Sequence, residues 1–138
     1  MEDLERQWTS TARRVYNKVM RRMELVDGKI RGLDGRPITV PFKHQLLVYE
    51  LQSDEAIMMQ AAFNKAIMDL ERKGLRYGSD FGSVCHYHDE FTFETKPEYA
   101  ELVKEVSENA IVWAGKFYKI TCPHKGDGKI GNNWYAVH

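Results

Sequence analysis

The chain has 138 residues, the length of one compact domain, and its 43% hydrophobic and 29% charged content is typical of a soluble globular protein. Twenty basic side chains balance twenty acidic ones, so the net charge gives no argument for a nucleic-acid partner. No segment approaches the roughly 20 apolar residues that a membrane helix needs, and the acidic start Met1–Glu5 is the reverse of a secretory signal. We therefore expect a cytoplasmic protein without a membrane span, folded as a single domain over residues 1–138.

The first predicted element is a helix from about residue 3 to 26, inside an N-terminal helical region 1–28, because apolar side chains recur at three- and four-residue steps. A hairpin follows over 30–40, where Asp34-Gly35 lies between two short β-prone runs. The hairpin region carries an excess of positive charge, which suits binding of phosphates. Its only acidic residue is Asp34, and its basic residues are Lys29, Arg31, Arg36 and Lys43. A solvated hairpin explains the same charges equally well.

The central predicted element is a long helix over 44–73, a stretch that contains no Gly or Pro and ends before Gly74. A loop is predicted over 77–83. Aromatic and β-branched residues then alternate over 84–94, which predicts a second hairpin with its tip near His88-Asp89.

A second helix is predicted over 97–115, since Pro suits its first turn and Gly its end. The stretch 117–122 predicts a further strand, and the Gly- and Asn-rich stretch 123–138 predicts an irregular tail held down by its aromatic end. Cys85 and Cys122 lack the spacing of a metal or redox motif, so we expect both to be buried free thiols.

The run Cys85–Phe91 carries two adjacent carboxylates, Asp89 and Glu90, inside a strand-like aromatic sequence. Neighbouring side chains in a strand point to opposite faces, so one carboxylate would be buried at a cost unless a tight turn exposes both. Mg²⁺ prefers carboxylate oxygens, and a turn that presents Asp89 could form part of a site for phosphoryl transfer. By itself the pattern is also typical of ordinary turn residues.

Further landmarks along the chain follow a familiar order, and together they resemble the end of the family A DNA polymerases, especially the single-subunit replicative enzymes of short-tailed phages. The landmarks are Gly32-Leu33-Asp34-Gly35-Arg36, Leu51-Gln52-Ser53, the motif C sequence His88-Asp89-Glu90, and Gly128-Lys129-Ile130-Gly131-Asn132-Asn133-Trp134 with the terminal His138.

The resemblance implies an α+β fold: a partial polymerase palm over 29–138, with antiparallel strands and a motif C hairpin packed against about three helices. It implies that Asp89 binds the catalytic metal with Glu90 as a supporting acid, and that His88 faces the primer end.

It also implies DNA contacts outside motif C. Gln52 would donate to the acceptors that all base pairs share in the minor groove, and His44 would contact DNA near it. Arg36 is a further candidate for a DNA contact because of the positive charge of the basic hairpin, which suits phosphate, and not because of the resemblance. The family commonly has an amide four residues before the glutamine, whereas this chain has Val48.

Neither the motif A aspartate nor the fingers helix of this family has a matching pattern in the sequence. We therefore expect the C-terminal part of a split DNA-directed DNA polymerase, inactive without an N-terminal polymerase fragment that completes a two-Mg²⁺ site for primer-template DNA and deoxynucleoside triphosphates. A natural split is favoured over a random truncation, because the chain starts just before a well-formed amphipathic helix.

Two alternatives belong to other classes of function. The first is a non-catalytic polymerase remnant that binds DNA or protein. The second is a different metalloenzyme, in which His86, His88 and Glu90 lie on one strand face and bind a transition metal.

Overall fold

The computed structural model describes residues 12–15, 17–18, 21 and 27–137. Residues 12–15, 17–18 and 21 are helical, while the rest of the predicted N-terminal helix and the terminal His138 lie outside the described residues. The chain divides into two compact units, Met1–Asp54 and Glu55–His138. The predicted single domain over 1–138 stays a prediction.

The first unit contains the predicted basic hairpin. Strands β1 (Lys29–Arg31) and β2 (Pro37–Thr39) pair antiparallel, and Gly35 in the connection has a φ of +84° that favours glycine. The side chains of Ile30, Val40 and Leu46 form a small buried cluster with partly buried apolar neighbours, so the hairpin packs on the start of the following helix.

Helix α1 (Leu46–Arg72) follows a short 3₁₀ turn, Lys43–Gln45, and confirms the long central helix. It ends at Arg72, one residue before the predicted end at 73. Gly74 has a φ of +94°, its N–H donates to the Glu71 carbonyl, and the Leu75 N–H donates to the Leu70 carbonyl. This pair of hydrogen bonds is the Schellman motif, in which glycine takes the left-handed position without strain.

The second unit combines a hairpin with two helices. Strands β3 (Phe81–Tyr87) and β4 (Glu90–Thr95) pair antiparallel, so β3 begins inside the predicted loop. A 3₁₀ turn (Pro97–Tyr99) leads into α2 (Ala100–Phe117).

The core of this unit contains small side chains from both helices, which allow close packing, and larger apolar side chains from α1, the loop after it and β3. Its buried members are Met58, Met59, Ala62, Ala66, Leu70, Leu75, Phe81, Val103, Val106, Ala110 and Ala114. The α+β prediction is confirmed, with two two-stranded antiparallel sheets in the described part of the chain. No helix within the described residues is long and apolar enough to cross a membrane.

The predicted strand over 117–122 is wrong, because α2 continues through Gly115 to Phe117. Gly115 does not end the helix: a Cβ there would lie 2.8 Å from His124 Nδ1, so the glycine permits a close approach. The helix ends instead with Lys119 at a φ of +55°, where the Ile120 N–H donates to the Gly115 carbonyl. The chain thus repeats the capping motif of α1 with a lysine in the left-handed position.

The tail after α2 is largely irregular, as predicted, and its glycines pack closely against α2. A Cβ on Gly126 would lie 2.8 Å from the Cα of Glu108, and the Gly128 N–H donates to Glu108 Oε1 at 2.9 Å. Because His124 meets Gly115 and Gly128 meets Lys104, the tail runs antiparallel to α2. A final helical turn, α3 (Trp134–Val137), follows, and Tyr135 in it is 92% exposed.

Candidate functional site

The β3–β4 hairpin places the predicted motif C residues at its tip. Tyr87 pairs with Glu90, so His88 and Asp89 form a two-residue turn between the strands. His88 has a φ of +51°, a conformation that histidine adopts more readily than most residues but that still carries strain. The sequence prediction of a tip near His88-Asp89 is confirmed.

A bulge in β3 sets which side chains face the core at this tip. Ser83 pairs with Phe93 but Cys85 pairs with Thr92, so β3 contains one extra residue, Val84. An extra residue shifts the alternation of faces by one position. Beyond the bulge, His86 therefore lies on the same face as its partner Phe91.

The opposite face of the hairpin carries Cys85 and Tyr87 beyond the bulge. Cys85 is half-buried, while the second cysteine, Cys122, is exposed. The prediction that both thiols are free is confirmed, but the prediction that they are buried is wrong, and the bulge is the reason for Cys85. Tyr87 is 68% exposed.

Phe63 of α1 holds the inner face of the hairpin. Its ring stacks on His86 at a centroid distance of 4.9 Å and on Phe93 at 5.5 Å, and meets Phe91 edge-on at 5.7 Å. Aromatic contacts of this kind each add roughly 0.5–1.5 kcal/mol beyond area burial. The tip thus extends from a sheet that a helix supports.

The two carboxylates at the tip are solvent-exposed. Glu90 accepts a hydrogen bond from Thr92 Oγ1 at 3.1 Å, and within the described residues no hydrogen bond or ion pair engages the Asp89 carboxylate. Exposed carboxylate oxygens suit Mg²⁺, which retains several waters. No group of three potential metal ligands occurs within the described ranges.

The predicted shared face of His86, His88 and Glu90 is wrong. The strand ends at Tyr87, His88 is a turn residue, and His86 stacks on Phe63 on the inner face, while Glu90 pairs with the outward Tyr87. The geometry therefore gives no support to a transition-metal site built from these three side chains.

The base of the hairpin is closed by Asp80, a residue that the sequence analysis missed. Asp80 is only 8% exposed; its carboxylate accepts hydrogen bonds from Lys96 Nζ at 2.6 Å and from the Arg76 N–H at 2.9 Å. The hydrogen bond from Lys96, followed by that from Arg76, lowers the pKa of the Asp80 carboxyl below its usual value. Asp80 in turn raises the pKa of Lys96.

In the first unit, His44 and Gln52 are both exposed. His44 lies in the 3₁₀ turn before α1, with its ring stacked on Phe42 at 5.7 Å, and Gln52 lies in α1. Val48, four residues from each, is also exposed. Positions four apart are neighbours on a helix surface, so an apolar side chain lies next to Gln52.

Arg36, the other predicted DNA contact in this unit, is engaged by Asp34. The guanidinium contacts the Asp34 carboxylate through Nε at 2.7 Å and Nη2 at 2.6 Å, and this pairing lowers the pKa of Asp34. The ion pair reduces the positive charge of the hairpin. The structure therefore brings only three of the predicted site residues together, at the hairpin tip of the second unit: His88, Asp89 and Glu90. The other three belong to the first unit: His44, Gln52 and Arg36.

The chain is similar in sequence to DNA polymerases of phages. The chain is 35% identical over 112 residues to the DNA-directed DNA polymerase of Enterobacteria phage T3, and 34% identical over 112 residues to that of Escherichia phage T7; each match covers 79% of this chain and 16% of the relative. The polymerase of Escherichia phage Phieco32 is 29% identical over 118 residues, which cover 80% of this chain and 19% of that protein. No family model matches the chain.

Among solved structures, the fold is similar to the POL domain of Pol1 from M. smegmatis in complex with DNA primer-template and dNTP. The TM-score is 0.64 at 18% identity, and the match covers 74% of this chain and 19% of that chain, which shows a shared fold. The chain spans about a sixth of the length of the T3 and T7 relatives. The resemblance to this family is thereby confirmed: the chain belongs to the phage-type family A DNA polymerases, over a segment about a sixth as long as the T3 and T7 enzymes.

Proposed function

We propose that the chain is the C-terminal palm part of a split DNA-directed DNA polymerase and supplies its motif C carboxylate. The observation that carries the proposal is the β3–β4 tip, where Asp89 is exposed in a two-residue turn, in a chain similar to the T3 and T7 DNA polymerases. Phosphoryl transfer depends mainly on positioning and on charge stabilisation, and a rigidly supported carboxylate turn suits that task.

In this proposal Asp89 is a metal-binding catalytic residue and Glu90 is a supporting acid beside it. Two Mg²⁺ ions, when bound, would supply charge stabilisation for the attacking and leaving oxygens of nucleotidyl transfer. Both carboxylates are exposed, and within the described residues no hydrogen bond or ion pair engages that of Asp89, so Asp89 can bind a cation without first breaking such a contact.

DNA contacts are proposed for four further residues. Gln52 and His44 are exposed polar side chains at the start of α1 and before it, and an amide such as Gln52 can check base-pair geometry in the minor groove without reading sequence. Arg36 would bind a phosphate only by sharing its guanidinium between Asp34 and DNA. His88 would face the primer end from the hairpin tip.

The remaining parts of the active site must come from elsewhere, because one carboxylate turn cannot position two metal ions. The partner is an N-terminal polymerase fragment that carries motif A and the fingers, and the assembly acts on primer-template DNA and deoxynucleoside triphosphates in the cytoplasm of a phage-infected host. We expect the chain alone to be inactive.

The test replaces the charge of Asp89 without changing its size. The chain is combined with T3 polymerase from which the matching 112 residues have been removed, and primer extension is measured at saturating Mg²⁺. We expect Asp89→Asn to fold, to bind the T3 fragment and to bind DNA, yet to lose roughly three orders of magnitude in nucleotide incorporation. Glu90→Gln should lose less, because the primary ligand remains.

Gln52→Ala is the contrasting variant, since it should weaken primer-template binding but keep the rate of incorporation at saturating DNA. Gln60→Ala, the same residue type further along α1, should change neither quantity. If Asp89→Asn extends primers at nearly the parental rate, the carboxylate is a turn residue, and the non-catalytic remnant becomes the better description of the chain.

A further inference from the structure

Tyr87 is an exposed aromatic side chain immediately before the tip residues, and no role described above uses it. Its ring lies against His88 with a centroid distance of 4.1 Å and an interplanar angle of 76°, so the side chain has a defined neighbour although it is 68% exposed. Within the described residues no hydrogen bond engages its hydroxyl group. A large apolar ring in such a position has surface available for a contact.

The bulge at Val84 accounts for this orientation. With regular alternation from Phe81, position 87 would face the core, together with Ser83; the extra residue turns Tyr87 to the outer face that it shares with Glu90. Bulges are frequent beside active sites, where they redirect a side chain. The ring and the two carboxylates therefore belong to the same exposed tip.

The position of Tyr87 relative to Asp89 limits what the ring can touch. Two residues separate their Cα atoms by at most about 7 Å, which is comparable with the length of a tyrosine side chain. If Asp89 holds a cation at the 3′-hydroxyl of a primer, the atoms within reach of Tyr87 are those of the sugar that carries this hydroxyl. An uncharged ring also suits a sugar better than a phosphate, because the neighbouring carboxylates repel anions.

We propose that Tyr87 is a primer-contacting residue whose ring packs against the deoxyribose of the primer's 3′-terminal nucleotide. This inference rests on the proposed polymerase function. The contact is independent of base sequence, and it contributes to binding of the terminal sugar while His88 supports the ring from one side.

The test measures primer-template affinity of the assembly of the full chain with the T3 fragment, using two primers. One primer ends in a normal deoxynucleotide, and the other has a flexible three-carbon spacer in place of its terminal sugar. On the normal primer, we expect Tyr87→Val to weaken binding roughly fivefold to twentyfold, and Tyr87→Phe to bind like the parent. On the spacer primer, Tyr87→Val should bind as well as the parent.

Tyr135→Val is the matched control, because Tyr135 is 92% exposed in the tail of the same unit, and it should change binding to neither primer. Steady-state extension on the normal primer should show the Tyr87→Val effect in the KM for primer and not in kcat. If Tyr87→Val caused a general loss of structure, binding to both primers would weaken equally. Either that result or parental binding to both primers would show that Tyr87 does not contact the terminal sugar.

Different results would contradict the Tyr87 contact and the catalytic role of Asp89. If Asp89→Asn abolishes incorporation but Tyr87→Val binds both primers like the parent, the polymerase function stands and the sugar contact is wrong. If Asp89→Asn retains incorporation while the Tyr87 effect is confined to the normal primer, the contact stands and the catalytic role of Asp89 is wrong. An assembly that binds neither primer would overturn both.

Discussion

His88 has a backbone conformation that most side chains avoid, at the point where the hairpin reverses direction. A φ of +51° costs a residue with a Cβ atom roughly 1–2 kcal/mol, and glycine would avoid this cost. Strain at one residue is often retained where its side chain has a function. The tip therefore combines a strained residue, His88, with a proposed contact to the primer end.

This strain allows the role of the His88 side chain to be separated from its role in the turn. We expect His88→Gly to keep the thermal stability of the chain within about 0.5 kcal/mol, because the glycine removes strain but adds entropy to the unfolded state. We expect it to weaken primer use in the assembly with the T3 fragment. His88→Val should lose roughly 1–2 kcal/mol, because a β-branched residue is poorly accommodated at this φ.

Lys119→Gly is the control for His88→Gly, since Lys119 has a φ of +55° in the same unit but lies at the end of α2. It should leave primer extension unchanged. Thermal unfolding and extension by the assembly with the T3 fragment are measured on all three variants. If His88→Gly extends primers at the parental rate, the His88 side chain serves the turn and does not contact the primer.

At the scale of elements, the β3–β4 hairpin is closed by an ion pair at the end opposite its tip. Lys96 reaches Asp80 from just after β4, while the Asp80 carbonyl accepts hydrogen bonds from the Lys96 N–H at 3.1 Å and from Thr95 Oγ1 at 3.0 Å. Residues sixteen positions apart are thus joined through both side chain and backbone. These contacts hold the base of the hairpin together, as Phe63 packs on its inner face.

The pKa shifts of this pair predict how stability depends on pH. Because the pKa of Asp80 is lowered in the folded state, its contribution is fully present above the ordinary carboxyl pKa of about 4 and is lost as pH falls through the lowered pKa. The pKa of Lys96 is raised, so its contribution is present below about pH 10.4 and is lost as pH rises through the raised value.

Thermal unfolding of the parent and of Asp80→Asn between pH 2 and 7 checks this prediction. The variant should be less stable than the parent at pH 7, and the difference should shrink toward pH 2. Asp127→Asn, at an exposed position, is the control and should follow the parent. A stability difference that does not change with pH would mean that the Asp80 charge contributes nothing to the closure.

Elements that follow from local chemistry were predictable from the sequence. Asp34-Gly35 and Gly74 supply the backbone freedom that a turn and a helix end require, and the structure places them there. The end of α2 was missed because a lysine, Lys119, takes the position that glycine usually occupies. The bulge at Val84 and the closure by Asp80 depend on pairing between distant residues, which a reading of neighbouring residues does not reveal.

At the scale of the whole molecule, both units expose large apolar side chains. In the first unit they include Phe42, Val48 and Leu51, and in the second they include Met68 and Phe117. The phage relatives are about six times as long as the matching segment. Exposed apolar surface of this kind is expected where a segment normally contacts the rest of a larger protein.

We therefore expect the isolated chain to self-associate at micromolar concentration and to bind the T3 fragment that lacks the matching segment. Phe117→Ser should weaken this binding roughly tenfold or more, as loss of an exposed aromatic side chain at an interface does. Tyr135→Ser is the matched control and should have no effect. Analytical ultracentrifugation measures self-association and binding of the T3 fragment, and thermal unfolding confirms that the variants fold. A monodisperse monomer without affinity for the fragment would contradict the split-polymerase proposal.

The bulge in β3 also constrains how this segment of the chain can vary in length. Because side chains in a strand alternate between faces, removing or adding a single residue between Phe81 and Tyr87 would exchange the inner and outer faces of the tip. Tyr87 would then turn toward Phe63, and the exposed His86 would lose its stacking on that ring. Ahead of the tip, whether the residue count is odd or even therefore matters as much as which residues are present.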